Sequence, residues 1–290
     1  MTVDPRFELV RLIAWGRRTF GLRIGQSLFN RVLYPPALRQ RHPKQVTINY
    51  DGEFTLHLAT QSWIEWCLFL DGYFEYPIHQ LLTRLVSPGA VVFDVGANVG
   101  AHTITLSRIV GAQGRVIAIE PCPPVLNKLH KNLNDNQVRN VTVLPIAASN
   151  QSGTAQLFWR DNDTNEGQAT FWPNEATNVQ YEVGTASLDE LVRQQQLPTV
   201  NLIKIDVQGA EFQVLQGAEH TLHTFKPALI FEYDWNWESS AITFADVQAF
   251  LVQFGYTLHS ISRSGHPLPL KPNPVGESGT RRTLIQIFQS

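Results

Sequence analysis

The chain has 290 residues, about twice the commonest domain size, so we expect one large domain or a domain with an appended segment. Hydrophobic residues make up 43% of the chain and charged residues 17%, which is enough for a core and excludes a disordered, collagen-like or fibrous protein. The formal net charge is −2, and two cysteines are too few for a disulfide framework.

The cellular compartment is predicted from the lack of a membrane span and of a signal peptide in the sequence. No stretch of 18 apolar residues occurs, so we expect no membrane span. The first apolar run, from Leu9 to Trp15, is short and contains Arg11, which is not typical of a signal peptide. We therefore predict a cytoplasmic protein.

The N-terminal segment is basic, whereas the rest of the chain is acidic. Residues 1–45 hold nine Lys and Arg against two acidic residues, and residues 46–290 hold 14 basic and 23 acidic residues. A basic segment that also carries apolar residues indicates either peripheral contact with a membrane or a surface helix docked on the acidic body. We expect no nucleic-acid partner, because no basic patch recurs in the body and no aromatic-rich RNA-binding motif occurs.

A hairpin and two helices follow the basic segment. The hairpin is predicted for residues 46–50 and 53–58, with Asp51-Gly52 as a two-residue turn. The helices are predicted at 63–70 and 76–86. We assign residues 1–86 to an N-terminal extension and residues 87–290 to the principal domain.

From residue 90 onward, short apolar strands alternate with helices, which predicts a parallel sheet that is buried on both faces. The core strands are predicted at 90–94, 114–120, 141–147, 202–207, 228–233, 256–261 and 283–288. The main helices are predicted at 101–110, 123–134, 210–224 and 244–254. The fold class is therefore α/β, a doubly wound, mostly parallel sheet of seven strands whose last two strands form a hairpin.

The most informative motif joins the first core strand to the following helix. It reads Asp94-Val95-Gly96-Ala97-Asn98-Val99-Gly100. A nicotinamide-binding strand would carry G-x-G-x-x-G at this place, with glycines close to a pyrophosphate. Here a carboxylate precedes the first glycine by two residues, which disfavours a pyrophosphate and suits the sulfonium and ammonium of S-adenosylmethionine. Glu120, 26 residues after Asp94, ends the next strand and can accept hydrogen bonds from both ribose hydroxyls.

Several stretches in a fixed order carry a family resemblance that spans residues 72–233. They include Gly72-Tyr73-Phe74-Glu75, Phe93 to Gly100, Glu120-Pro121, Ile203 to Glu211 and Val214 to Ala218. With these stretches the chain resembles FkbM-type methyltransferases, a branch of the class I S-adenosylmethionine-dependent superfamily. It departs from the family at Gln208, where a glutamate is usual.

The resemblance implies which residues would bind the cofactor and what the protein would methylate. Asp94, Gly96, Ala97, Asn98 and Gly100 would surround the methionine end of S-adenosylmethionine, Glu120 would bind its ribose, and Ala147 would lie near its adenine. The implied reaction is methylation of a hydroxyl on a glycan, a glycolipid or a secondary metabolite.

Three residues are candidates for the catalytic machinery. His102 lies in the first turn of a helix, where the dipole disfavours a protonated imidazole and so favours a base. Asp206 and Glu232 end core strands, at the edge where open α/β sheets bind ligands. Lys204 shares a strand face with Asp206, which predicts a structural ion pair. Asp206 and Glu232 could jointly hold a divalent cation, but two carboxylates without further ligands do not define a metal site, so we assign none.

Two other functions remain open, as do the acceptor site and the oligomeric state. A non-catalytic relative that kept the cofactor pocket is suggested by Gln208, and a nicotinamide-dependent oxidoreductase could use a similar sheet. Tyr233, Trp235 and Trp237 could form a stacking wall for the acceptor. The hairpin and the basic segment could also pair copies of the chain into an oligomer.

Overall fold

The computed structural model describes residues 4–20, 28–159, 179–233, 242–270 and 283–289. These residues form two compact units, the first ending at Phe74 and the second beginning at Glu75. The domain boundary that we placed between residues 86 and 87 stays a prediction. The compact units divide earlier, so the helix that follows Glu75 belongs to the second unit.

The first unit packs helices on a two-stranded hairpin. Its elements are α1 (Pro5–Phe20), a π-helical turn (Phe29–Leu33), α2 (Pro36–Arg41), β1 (Gln45–Tyr50), β2 (Phe54–Ala59) and α3 (Trp63–Asp71). Buried aromatic residues form the centre of this unit, with Tyr34 and Trp66 stacked at 6.1 Å between ring centroids. Arg39 is also buried, and its guanidinium lies 4.5 Å from the Trp66 ring, so a cation–π contact offsets part of the cost of burying its charge.

The predicted hairpin is confirmed, but its turn is one residue longer. The strands pair antiparallel from Gln45 with Ala59 to Tyr50 with Phe54. Asp51 and Gly52 have φ angles of 53° and 80°, the left-handed values that favour Asp-Gly in a turn. Because Tyr50 pairs with Phe54, Glu53 belongs to the loop and not to the second strand.

The second unit is an α/β unit built on one large sheet. Its first elements are α4 (Tyr76–Leu85), β3 (Val91–Val95), α5 (Ala101–Val110), β4 (Arg115–Ile119), α6 (Pro123–Asp135), β5 (Val141–Leu144), β6 (Ala147–Ala148), β7 (Gly153–Trp159) and β8 (Val179–Ala186). The remaining elements are α7 (Leu188–Gln194), β9 (Leu202–Ile205), α8 (Glu211–Gln216), α9 (Glu219–Phe225), β10 (Ala228–Tyr233), α10 (Phe244–Val252), β11 (Tyr256–Ile261), β12 (Pro267–Pro269) and β13 (Thr283–Gln289). Across all the described residues, no helix has both the length and the apolar character that a membrane span requires.

The large sheet confirms the predicted α/β class and its mostly parallel order, but its strand number differs. Within the described residues it has eight strands in the order β12-β11-β13-β10-β9-β3-β4-β5. The strands from β10 to β5 are parallel neighbours, whereas β13 is antiparallel to both β10 and β11. The expectation of seven strands was wrong, because Pro267–Pro269 adds a short edge strand to β11. Prolines are tolerated at a sheet edge, where one side of the backbone needs no partner.

Two predicted elements are divided in the structure. The helix predicted at 210–224 is two helices, α8 and α9, with Gly217 between them. A Cβ at Gly217 would lie 2.1 Å from the carbonyl oxygen of Ser149, so the chain passes too close to its neighbour for a side chain there. The strand predicted at 141–147 ends at Leu144, and Ala147–Ala148 pairs instead in a small sheet of order β6-β8-β7.

Successive residues of the central strands point to opposite faces of the sheet. Val92, Leu202 and Ile230 belong to a core shared with α4 and α5. Their odd-numbered neighbours, such as Phe93 and Ile203, belong to the core shared with α7 to α10. Asp94, Lys204 and Glu232 have even numbers and therefore lie on the face of α4 and α5.

Candidate active site

Four of the predicted site residues lie at or near the carboxyl ends of parallel strands in the large sheet. Asp94 is the fourth residue of β3, Glu120 follows β4, Asp206 follows β9, and Glu232 lies near the end of β10. Because β3, β4, β9 and β10 are parallel, their carboxyl ends lie together, and open α/β sheets bind ligands in the crevice outside these ends.

The loop after β3 depends on glycine because it passes close to the end of β9. Gly96 has a φ of 77°, and a Cβ there would lie 1.9 Å from the carbonyl oxygen of Asp206. Gly100 has a φ of 94°, and a Cβ there would meet Leu129 at 2.7 Å. The pattern that we identified in the sequence therefore serves both backbone conformation and close packing.

The backbone N–H groups of residues 96–100 already have acceptors within the chain. Those of Gly96 and Ala97 both donate to the carbonyl oxygen of Ile119, at 3.0 Å each. The N–H of Asn98 donates to Oε2 of Glu120 at 2.9 Å, and the next two donate to Asn98 Oδ1 and the Ala97 carbonyl oxygen. A pyrophosphate-binding turn presents such N–H groups to its ligand, whereas this turn uses them to fix its own shape.

Asp94 lies beneath the loop, and its side chain is fully buried. Its Oδ2 accepts a hydrogen bond of 2.6 Å from Thr103 Oγ1 at the start of α5. Its Oδ1 lies 3.4 Å from Nζ of Lys204, which is its neighbour in the register of β3 and β9. Asp94 therefore holds Lys204 and the start of α5 in place. A direct contact between Asp94 and the cofactor stays a prediction.

Lys204 connects the buried carboxylate to the loop and to the crevice. Its Nζ donates to the carbonyl oxygen of Gly96 at 3.2 Å and lies 3.8 Å from Oδ2 of Asp206. Burial lowers the pKa of Lys204, but the negative charges of Asp94, Asp206 and Glu75 outweigh burial, so its pKa is raised overall. The lysine is therefore cationic, and the predicted pair with Asp206 is part of a larger group that includes Asp94.

Glu120 is a buried carboxyl group held by two backbone donors. Its Oε1 accepts from the N–H of Cys122 and its Oε2 from that of Asn98, both at 2.9 Å. Burial raises the pKa of Glu120 to about 7, although these two donors and the charge of Lys204 oppose the increase. An ionised carboxylate has about four acceptor positions, so two stay available for a ligand such as a ribose.

The structure adds Glu75, which we had not considered as a site residue. Glu75 precedes α4 with a left-handed φ of 49°, and its Oε2 lies 3.5 Å from Nε2 of His102. Both ring nitrogens of His102 are buried, whereas 18% of the Glu75 side chain is exposed. The only signal for Glu75 in the sequence was its place in the stretch Gly72 to Glu75 that carries the family resemblance.

Three carboxylates lie near Lys204. The negative charges of Asp94, Asp206 and Glu75 all raise its pKa. With every carboxylate ionised, the group is negative by two formal charges. Within the part of the chain that the structure describes, no set of three or more His, Cys, Asp or Glu residues could hold a metal ion. A group of carboxylates at these strand ends suits a ligand that carries positive charge.

A comparison with models of known protein families identifies the family of the chain. The model of the methyltransferase FkbM domain matches residues 94–258, which is more than half of the chain. This chain belongs to the FkbM methyltransferase family. The match includes the four strand-end residues Asp94, Glu120, Asp206 and Glu232, whereas Glu75 lies before it.

Several known methyltransferases are similar to the chain at low identity. Hexuronic acid methyltransferase AglP of Haloferax volcanii is 27% identical over 175 residues, which cover 60% of this chain and 67% of that protein. 2-O-methyltransferase NoeI of Sinorhizobium fredii is 24% identical over 159 residues, 49% of this chain and 63% of NoeI. The crystal structure of methyltransferase FkbM from Methylobacillus flagellatus has 16% identity and a TM-score of 0.45, covering 69% of this chain and 44% of that one.

In this FkbM methyltransferase, the residue that departs from the family pattern contacts a candidate catalytic residue. Nε2 of Gln208 donates a hydrogen bond of 2.9 Å to Oδ1 of Asp206. Glu211 braces the same loop, because its two oxygens accept from the N–H groups of Val207 at 3.1 Å and Gly209 at 2.9 Å. Gln208 therefore orients Asp206, and Glu211 holds the backbone on which both residues lie.

The other predicted residues lie at different depths around the crevice. Glu232 is 4% exposed, whereas 20% of the Asp206 side chain is exposed, so Asp206 is the more accessible of the two carboxylates. Ala147 is buried in β6, where it pairs with Thr185, and its place beside an adenine stays a prediction. Trp235, Trp237 and the side chain of Tyr233 lie outside the described residues.

Proposed function

We propose that this FkbM methyltransferase transfers a methyl group from S-adenosylmethionine to a hydroxyl oxygen of a small molecule or glycan. The observation that carries the proposal is the group of three carboxylates, from Asp94, Asp206 and Glu75, around Lys204 at the crevice. The relatives support the class of acceptor, because their names describe a hexuronic acid methyltransferase and a 2-O-methyltransferase.

The residues at the strand edge fit S-adenosylmethionine in charge and in hydrogen-bonding capacity. When bound, this cofactor supplies a methyl group activated by a positively charged sulfur. Glu75 and Asp206 would supply negative charge to its sulfonium and ammonium groups, and Glu120 would accept hydrogen bonds from its ribose. Asp94 would act indirectly, by holding Lys204 and the Gly96 loop in place.

Asp206 is the residue that we assign to the acceptor. A hydroxyl oxygen must lose its proton as its new bond to carbon forms, and a positioned carboxylate can receive that proton. Asp206 is partly exposed at the carboxyl end of β9, whereas His102 and Glu232 are each 4% exposed. The hydrogen bond from Gln208 orients the Asp206 carboxylate.

Calorimetric titration with S-adenosylmethionine tests the cofactor assignment. We expect the wild-type chain to bind it and Glu120→Ala to weaken binding roughly tenfold, about 1.4 kcal/mol. Thermal melting of the variant would show that the protein is still folded. A folded wild-type chain that binds NADH in a fluorescence titration and does not bind S-adenosylmethionine would contradict the proposal.

A methyl-transfer assay on a panel of glycans and hydroxylated small molecules tests the role of Asp206. We expect Asp206→Asn to lower kcat by roughly 100-fold, the lower range of general-base effects. Asp135→Asn is the matched control, because Asp135 lies on the exposed side of α6 in an ion pair with Lys131. Equal kcat values for the two variants would exclude Asp206 as the proton acceptor.

A further inference from the structure

Large apolar side chains are exposed mainly in one part of the first unit. Nine such side chains are exposed among the described residues, and six of them lie between residues 9 and 32. They are Leu9 (47% exposed), Leu12 (63%), Trp15 (50%), Phe20 (67%), Leu28 (42%) and Val32 (63%). Single exposed apolar residues are normal on a surface, but such a concentration marks an interaction site.

The exposed apolar residues of α1 do not attach the helix to its own unit. The residues that do so lie on another face of the helix. Phe7, Val10 and Ala14 are buried, and the Phe7 ring lies 5.4 Å from that of Tyr34. At the end of the helix, Arg17 forms an ion pair with Asp71 of α3. The packing of α1 is therefore complete without its solvent-exposed apolar residues.

Exposed arginines lie among the exposed apolar residues. Arg6 and Arg11 are exposed on α1, and Arg31 is exposed in the π-helical turn. Arg11 also contacts Glu8 at 3.1 Å, and both side chains are about half exposed. Apolar and aromatic residues interleaved with arginine on one helix are typical of helices that lie in the interface of a membrane with anionic lipids.

We propose that the outer face of α1, defined by Leu9, Leu12, Trp15 and Phe20 with Arg6 and Arg11, binds the surface of an anionic lipid bilayer. The apolar side chains would enter the boundary between headgroups and acyl chains, and the arginines would contact lipid phosphates. Trp15 and Phe20 pack edge to face at 5.2 Å, so they form one continuous aromatic surface.

A groove beside α1 adds to this surface. It has a volume of about 600 Å³, it runs between α1 and β1, and Arg11, Leu12, Trp15 and Val46 are among its lining residues. The groove is also lined by Glu8, which pairs with Arg11, so it adds mainly apolar surface for contact with acyl chains.

A second copy of the chain fits this surface less well than a bilayer does. A two-fold dimer would bring the same face of both copies, with Arg6 and Arg11 of each, into one interface. Repulsion between these like charges opposes such a dimer, whereas the negative potential of an anionic bilayer attracts them.

Vesicle sedimentation with the full chain tests the proposal. The vesicles contain about 30% phosphatidylglycerol in phosphatidylcholine, with pure phosphatidylcholine as the neutral arm. We expect the wild-type chain to bind the anionic vesicles more tightly than the neutral ones, and added salt to weaken that binding because the charges are exposed. The double variant Leu12→Glu, Trp15→Glu should lose roughly tenfold or more in affinity, because it removes apolar area and adds negative charge.

Val252→Glu is the matched control, because Val252 is 57% exposed and lies on α10 in the other unit. We expect this variant to bind anionic vesicles as the wild type does, and circular dichroism would show that all the variants are folded. The proposal is overturned if the wild type does not bind anionic vesicles, or if the double variant binds them equally. A wild-type dimer that the double variant converts to a monomer, with no vesicle binding by either, would assign the face to a second copy instead.

Discussion

Lys204 and Asp94 are direct neighbours across two parallel strands, and their side chains form a buried ion pair. The register of β3 and β9 pairs the two residues, and Nζ lies 3.4 Å from Oδ1. The same Nζ donates to the carbonyl oxygen of Gly96 at 3.2 Å. One lysine thus links the first core strand, the fourth core strand and the glycine loop at the candidate active site.

Removal of the lysine should destabilise the fold, because it leaves Asp94 buried without its counter-charge. We expect Lys204→Met to lower the free energy of unfolding by about 3–5 kcal/mol, measured by urea denaturation. Adding Asp94→Asn to this variant should restore part of the loss.

Lys131→Met is the control for loss of a lysine, because Lys131 is 56% exposed and pairs with Asp135 on the surface. We expect this change to cost no more than about 1 kcal/mol. Equal stability of the two lysine variants would mean that the buried pair contributes little.

Gly96 is required by contact as well as by conformation. A Cβ at this position would lie 1.9 Å from the Asp206 carbonyl oxygen, so Gly96→Ala must separate the loop from β9. We expect a loss of about 2–5 kcal/mol, since a left-handed φ costs about 1–2 and overpacking adds about 1–3. Gly89→Ala is the control, because Gly89 has a φ of 83° but open space around it. A similar loss for both variants would show that only conformation matters at Gly96.

Glu120 should give the stability of the protein a characteristic dependence on pH. Its pKa is about 7 in the folded chain against 4.5 as the ordinary value, so between these values the folded state binds more protons than the unfolded state. The contribution of Glu120 to the free energy of unfolding therefore falls as the pH rises from 4.5 to 7, by at most about 1.4 kcal/mol per pH unit.

Denaturation at a series of pH values checks this dependence. We expect Glu120→Gln to reduce the slope between pH 4.5 and 7, because the variant cannot titrate at this position. Glu219→Gln, at an exposed position of α9, should keep the wild-type slope. An unchanged slope in Glu120→Gln would contradict the raised pKa.

Gln208→Glu distinguishes an active enzyme from a non-catalytic relative. Gln208 donates to Asp206 at 2.9 Å, whereas an ionised glutamate there could not donate a hydrogen bond. We expect the wild-type chain to transfer methyl groups already, and the variant to remain active, because glutamate is usual at this position in the family. Gln40→Glu, on the exposed surface of α2, should keep wild-type activity. An inactive wild type that gains activity with Glu at 208 would favour the non-catalytic hypothesis.

Local patterns in the sequence were sufficient for most of the elements. The bounds predicted for α5 (101–110) and β10 (228–233) agree with the structure, because continuous apolar runs mark buried strands and spaced apolar residues mark helices. The helix predicted at 210–224 was wrong, since its apolar spacing continues across Gly217 while the close approach of Ser149 does not show in any local pattern.

The sequence by itself determined the alternation of strands and helices, the glycine turn after Asp94, and the carboxylates at the strand ends. The tertiary structure decided how these groups are used: it buried Asp94 against Lys204 and brought Glu75 to His102. Such contacts join residues that are far apart in the chain. Gly96 and Lys204, for example, are separated by 108 positions in the sequence. Short-range patterns determine which face a residue occupies, but only the packing of strands and helices determines which charges meet there.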